Sequence, residues 1–342
     1  MAELAIPSGG RRLDGLQVAR GVAAFLVLAA HAELISGVYF GTAKPSRPPL
    51  GIRGVDLFFV LSGFIMWWVH ERDFGQRGRI GAYAAKRFFR IYLPYWPALA
   101  IFLAGLVLIP TTGEPWMRSP EAIAAALLLL PHPEGSVLAV AWTLCYEVTF
   151  YAVFGLIIIS KRLGLSVFAG WLAASMLFQS HEAFPWSFLT APYPVHFALG
   201  MLTAFALRRW DVRHPLLLVA GGALAFFAIW WWEPMFSETH FHWLYAAASG
   251  VMVLGLAAAT LNWPSPLKLL GDASYSIYLV HYPLLVAAVM LLPANPFNPI
   301  LAPALALAGG LLFYVVVERP AIKIGQAFAR RVGWDKQPAA LA

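Results

Sequence analysis

The stretch LQVARGVAAFLVLAAHAELI, residues 16–35, decides the fold. It is mostly apolar and has the roughly 20-residue length of a helix that crosses a bilayer. A polar leader, residues 1–13 with Arg11 and Arg12, runs straight into it without a cleavage site. It therefore reads as a retained first span, not a removed signal peptide. Similar runs recur at 55–69, 91–109, 137–159, 165–178, 195–207, 216–232, 243–261, 274–292 and 300–317, giving about ten spans in all. Residues 122–130 are too short to span and are expected to form an interfacial or re-entrant helix. The fold class is thus all-α and polytopic in the membrane.

Composition agrees. The 342 residues are 60% hydrophobic and only 12% charged, whereas a soluble domain carries about 25% charged residues. The 14 Trp, 12 Tyr and 24 Phe suit many helix ends at a membrane interface. The net charge of +7 does not mark a nucleic-acid binder, because the bases sit in short loops between apolar runs. Loop orientation and anionic lipid explain that placement. Of the 24 Lys and Arg residues, 19 fall in one alternating set of loops, Arg20 lies inside the first span, and four (Lys44, Arg47, Arg53 and Arg118) fall in the other set. The positive-inside rule then places both termini in the cytoplasm. Cys145 is the single cysteine, so one chain holds no disulfide framework and no Cys-based metal site; no metal and no permanently bound cofactor are expected. The segments are a cytoplasmic 1–15, one membrane domain 16–318 and a basic cytoplasmic tail 319–342.

Ionisable groups inside spans are costly and mark candidate functional positions. Arg20 and His31 are 11 residues apart, close to three helical turns, so they share a face and stand roughly 16 Å apart along the axis. Arg20 near the inner end either snorkels to the interface or holds a cytoplasmic anion; His31 near the outer end is either a hydrogen-bonded packing residue or a proton acceptor. Asp56, in Gly54-Val55-Asp56-Leu57-Phe58, lies at a depth similar to His31. It could orient that imidazole, or it could be a first-turn acid favoured by the helix dipole. Ser62 and Gly63 could permit close helix packing. Glu147 is central in its span and must be protonated, paired or facing water. His281 lies inside the ninth span; His196 opens the sixth. Arg87 and Arg90, in Lys86-Arg87-Phe88-Phe89-Arg90-Ile91-Tyr92, share a helical face at the membrane edge. They suit a phosphate bidentately, or they serve as ordinary positive-inside anchors. An enzyme using an anionic cytoplasmic donor and a transporter of a small anionic or sugar solute both fit; no internal repeat supports the transporter.

The Arg20, ten residues, His31 arrangement resembles the opening of the membrane acyltransferase family 3. The resemblance continues through Gly54-Val55-Asp56-Leu57-Phe58-Phe59-Val60-Leu61-Ser62-Gly63-Phe64 and Arg87-Phe88-Phe89-Arg90-Ile91-Tyr92-Leu93-Pro94. Trp142-Thr143-Leu144-Cys145-Tyr146-Glu147, Gly271-Asp272-Ala273-Ser274-Tyr275-Ser276-Ile277-Tyr278-Leu279-Val280-His281 and Val317-Glu318-Arg319-Pro320 complete it, in order along almost the whole chain. The opening is similar to the exopolysaccharide O-acetyltransferase branch, with Gln17 where many members have arginine. The resemblance implies acyl transfer, usually acetyl, from acetyl-coenzyme A to a hydroxyl of a polysaccharide or lipid-linked sugar, at the bacterial inner membrane. It implies His31, Asp56 and Glu147 as catalytic, Arg20, Arg87 and Arg90 as donor-binding, and Trp142, Tyr146, Tyr278 and His281 as acceptor-binding.

Overall fold

The computed structural model describes residues 13–40, 47–178, 183–233, 241–292 and 298–333. Arg11, Arg12, Lys44 and Lys336, four of the bases used for the orientation, lie outside these residues. The helices are α1 (Asp14–Phe40), α2 (Gly54–His70), α3 (Ile80–Leu108), α4 (Pro120–Leu128), α5 (Trp142–Ile159), α6 (Lys161–Leu177) and α7 (Trp186–Leu189). They continue with α8 (Tyr193–Arg209), α9 (Pro215–Trp232), α10 (Phe241–Ala258), α11 (Ser265–Asp272), α12 (Ser274–Leu291), α13 (Asn298–Phe313) and α14 (Arg319–Arg331). No strand occurs among the described residues. Nine helical stretches of them are long and apolar enough to cross a membrane. The expected fifth span is α6, which at 17 residues falls just short of that length.

Two boundaries differ from the sequence reading. The helix expected from residue 91 starts at Ile80, so Lys86, Arg87 and Arg90 are helical rather than part of a loop. A 29-residue helix is roughly 44 Å long, longer than the ~30 Å hydrocarbon core of a bilayer. The last span does not stop at 317. One turn of π-helix, Tyr314–Glu318, joins α13 to α14, and α14 lies on α3, with the Phe328 and Phe89 ring centroids 5.3 Å apart.

The stretch expected to be too short to span forms the nine-residue helix α4. Leu129, in the left-handed region at φ 53°, ends it. The last carbonyls of a helix have no partner within it, and α3 supplies them. Tyr95 Oη donates to Ala126 O at 2.9 Å, Trp96 Nε1 to Leu127 O at 3.0 Å and Tyr92 Oη to Leu128 O at 2.9 Å. Arg118 does the same at the far end of α3, reaching Leu106 O, Pro110 O and Thr112 O at 3.0, 3.1 and 2.8 Å. The tightest crossing is α2 on α8. A Cβ on Gly63 would overlap the carbonyl oxygen of Phe197, and one on Gly200 that of Val60. This close approach sets the face of α8 that carries His196 directly against Asp56.

Contacts between connecting segments sort the loops to two ends. At one end Arg208 donates to Trp68 O at 2.9 Å and pairs with Glu71 at 3.0 Å, Gly75 N donates to Ile157 O at 3.1 Å, and Lys268 approaches Asp14 at 3.9 Å. At the other end Arg47 donates to Trp231 O at 3.2 Å and Trp230 donates to Pro48 O at 2.8 Å.

Candidate active site

Helices α1, α2, α3, α5 and α12 surround a partly open cleft. Of the sequence-predicted site residues it brings together Arg20, Arg87, Arg90, Glu147 and Tyr278, with Phe58, Phe59, Ser62, Tyr151 and Tyr275 among the other walls. His31, His281, Asp56, Trp142 and Tyr146 do not line it.

The three arginines differ in what holds them. Arg90 Nη1 donates to Glu318 Oε1 at 2.5 Å, and its guanidinium lies 5.4 Å from the Tyr275 ring centroid. Glu318 is fully buried and also accepts from Ser276 N at 3.1 Å and Ser276 Oγ at 2.5 Å. Arg90 is therefore held in an ion pair with a buried acid while it also lines the cleft. Arg87 stands over the Tyr151 ring at 5.4 Å, and Arg20 Nη1 donates to Gln17 Oε1 at 3.4 Å. Sequence reasoning gave Glu318 no role. Its signal was an acid immediately after an apolar run, which the early end drawn for that span left outside the membrane.

Glu147 faces the cleft and is hydrogen-bonded, one of the states expected for a carboxylate at that depth. Its Oε1 accepts from Tyr151 Oη at 2.5 Å, one helical turn on, and from Ser62 Oγ of α2 at 3.2 Å. At the far wall Tyr278 Oη is 2.8 Å from Thr143 Oγ1, and both hydroxyls reach Val140 O, at 3.2 and 3.0 Å.

One turn beyond Tyr278 on α12 is His281, which is fully buried. The Tyr278 and His281 rings are 5.7 Å apart, and those of His281 and His31 are 5.0 Å apart. His281 Nε2 lies 3.1 Å from His31 Nδ1. His31 is partly exposed, packs edge-on to Tyr282 at 5.6 Å and sets Nδ1 3.0 Å from Val27 O. Two ring contacts thus separate the cleft wall from His31. The acceptor-binding expectation for His281 meets a residue enclosed by protein whose ring faces another imidazole.

Asp56 does not meet His31. It is fully buried, and its Oδ1 lies 2.7 Å from His196 Nε2 and 3.0 Å from His242 Nδ1. The reason is topological: α8 and α10 deliver their histidines to the face of α2 that carries Asp56, while α12 delivers His281 to α1. A ladder continues outward. Arg53 Nη1 is 3.4 Å from His242 Nε2, Arg53 Nε donates to Glu233 Oε2 at 3.3 Å and Nη2 to Oε1, and Tyr245 Oη donates to Glu233 Oε2 at 2.7 Å. The sequence marks His196 only as opening the sixth span and gives His242 and Glu233 no role.

Asp56, His196 and His242 place three ligand atoms within 4.8 Å of one another, the donor set of a two-histidine, one-carboxylate metal site. The proton pattern does not suit a metal. An arginine only donates, so His242 Nε2 accepts from Arg53 and its Nδ1 carries the proton toward Asp56. Ligation through Nδ1 would turn an N–H against the guanidinium. The group reads as a hydrogen-bonded ladder.

Between this ladder and the cleft stands an aromatic wall. Tyr146 stacks on Phe188 at 4.2 Å and meets Tyr193 at 4.6 Å, Trp142 meets Tyr193 at 5.4 Å, and Phe59 meets Tyr193 at 4.8 Å and His196 at 6.2 Å. Trp142 and Tyr146 are thus brought together, but behind Phe59 as seen from the cleft.

Comparison with known proteins gives one consistent picture. Residues 13–319 match the family described as acyltransferase domain, acyltransferase family 3. The exopolysaccharide production protein ExoZ of Rhizobium meliloti is 33% identical, over 83% of this chain and 92% of its own length. The acyltransferase MdmB of Streptomyces mycarofaciens is 29% identical over 92% of both chains. Protein 2 of the picA locus of Rhizobium radiobacter is 33% identical over 42% of this chain and 78% of its own. No solved structure matches.

Proposed function

The chain belongs to acyltransferase family 3 and is a membrane O-acyltransferase, and from that premise we propose that it moves an acetyl group from coenzyme A to a hydroxyl of an exported polysaccharide or a lipid-linked sugar. The supporting observation is the cleft itself: Arg20 and Arg87 line the same space as Tyr278, two ring contacts from His31. Coenzyme A is a polyanion with a long flexible arm. Its phosphates are placed at Arg20 and Arg87, with Arg90 held by Glu318 shaping the floor. The arm lies along Ser62, Glu147 and Phe58, and the thioester passes Tyr278 toward His31. The name of the ExoZ relative supports a polysaccharide acceptor.

In the transfer, His31 Nε2 takes the proton of the acceptor hydroxyl as its oxygen attacks the thioester carbonyl. The carbon–sulfur bond breaks, the ester forms, and the imidazolium returns the proton to the leaving thiolate, so that coenzyme A departs as free thiol. The transporter alternative needs no such chemistry and does not accord with the family. The site of action is placed at the bacterial inner membrane, with both termini cytoplasmic. The deciding assay uses the purified protein in lipid nanodiscs with acetyl-coenzyme A and the host's own surface polysaccharide. Thiol release that requires the polysaccharide, with a matching mass increment on the glycan, is expected; release that is indifferent to it would send the acceptor assignment elsewhere.

A further inference from the structure

Four distances around the rings of His281 and His31 fix where the protons sit. His281 Nδ1 is 2.6 Å from Tyr278 O and 3.2 Å from Ile277 O. Carbonyl oxygens only accept, so Nδ1 carries the proton of His281, and in the neutral ring Nε2 is a bare lone pair. That lone pair points at His31 Nδ1, 3.1 Å away, and Val27 O approaches the same nitrogen at 3.0 Å. Two acceptors converge on His31 Nδ1, so this nitrogen is the one that carries hydrogen, and Nε2 of His31 is left as the proton acceptor.

We propose that His281 is a positioning residue for His31: it accepts the Nδ1 proton of His31, holds the ring in the Nδ1–H tautomer and answers the charge that forms when Nε2 is protonated. This rests on the reading of His31 as the base. When His31 takes a proton, its Nδ1–H becomes the donor of a charge-assisted bond, which is shorter and stronger than a neutral one. Val27 O alone meets that donor in the direction of the helix axis; His281 meets it across the gap between α1 and α12, and so ties the ring's orientation to the helix that also carries Tyr275 and Tyr278. Burial of His281 keeps water from competing for the same proton. Asp56, the carboxylate expected to take this place, is instead held by His196 and His242.

The test uses two substitutions of unlike chemistry and one measurement on the native protein. In His281→Gln the amide oxygen can take the place of Nε2 and still accept; His281→Leu fills the volume without accepting. At equal amounts of folded, coenzyme A-binding protein, the Leu variant is expected to lose kcat by roughly 10- to 100-fold, the worth of a hydrogen bond to a charged group, with KM for both substrates unchanged. The Gln variant is expected to recover most of that loss. Equal losses in Gln and Leu, or a Leu variant with native kcat, would reduce His281 to packing. Nitrogen-15 spectra of histidine-labelled native protein, with the His31 signals identified by their disappearance in His31→Ala, read the tautomer even if the Leu variant does not fold. Hydrogen on Nδ1 is expected, and hydrogen on Nε2 overturns the proposal. A fully active His31→Ala variant would remove the base itself and with it any role for His281 through it, an outcome separate from failure of His281 alone.

Discussion

Arg87 and Arg90 stand three positions apart on one helix, yet they answer to different partners. Arg90 is tied to the buried Glu318, so Arg90→Gln is expected to act on folding. Leaving a buried carboxylate unpaired costs about 3–5 kcal/mol, and the readout is lost protein on size exclusion, together with a lowered thermal midpoint. Arg87 lines the cleft beside Arg20, and Arg87→Gln is expected to weaken coenzyme A binding about tenfold in a titration of folded protein, with the gap narrowing as salt is added. Unchanged affinity would leave Arg87 a topology anchor. His31→Ala is expected to keep both folding and donor binding and to lose glycan acylation by about 10²–10⁴-fold, the range of general-base catalysis. A well-folded variant near native rate would move the base to another group. Arg20, His31, Arg87 and Glu147 were legible in the sequence because each is an ionisable group in or beside an apolar run. The partners of Asp56 were not, because they arrive from 140 and 186 residues away and no local pattern announces a contact between distant helices.

Among the elements, α4 depends on α3 for its C-terminal carbonyls. Tyr95→Phe removes the donor to Ala126 O while keeping the ring, which is fully buried. Ala126 O keeps the Leu129 N–H at 3.1 Å, so the loss is that of one hydrogen bond, about 0.5–1.5 kcal/mol, and the expected outcome is a slightly lower thermal midpoint with the helical signal otherwise intact. An unchanged midpoint would mean that the Leu129 N–H alone satisfies that carbonyl. The α2–α8 crossing is stricter. Gly200→Leu would force two backbones apart, and the expected result is loss of folded protein from the membrane. The small residues at 62 and 63 could be read as permitting close packing, and α4 as a non-spanning helix, because length and side-chain volume are local properties. The true start of α3 at Ile80 was not legible: the six bases between residues 72 and 90 look like a loop, and no local pattern shows that Phe89, among them, packs on Phe328 of a distant helix.

For the whole molecule, the contacts that gather the loops at two ends agree with the division of bases drawn from the sequence. Reporters fused after Ala342 and within residues 111–134 are expected to report opposite sides, with the C-terminal one inside; the same side for both would overturn the arrangement. The ladder running from Glu233 through Arg53 and His242 to Asp56 and His196 has a further consequence, for the making of the protein. Asp56 emerges from the ribosome with α2, but His196 follows 140 residues later. At ~5–20 residues per second that is a delay of roughly 7–30 s. During it, a carboxylate that costs ~3 kcal/mol in lipid has neither of its two histidine partners. The ladder of the second helix therefore closes only after the eighth and tenth helices have been made, late in synthesis.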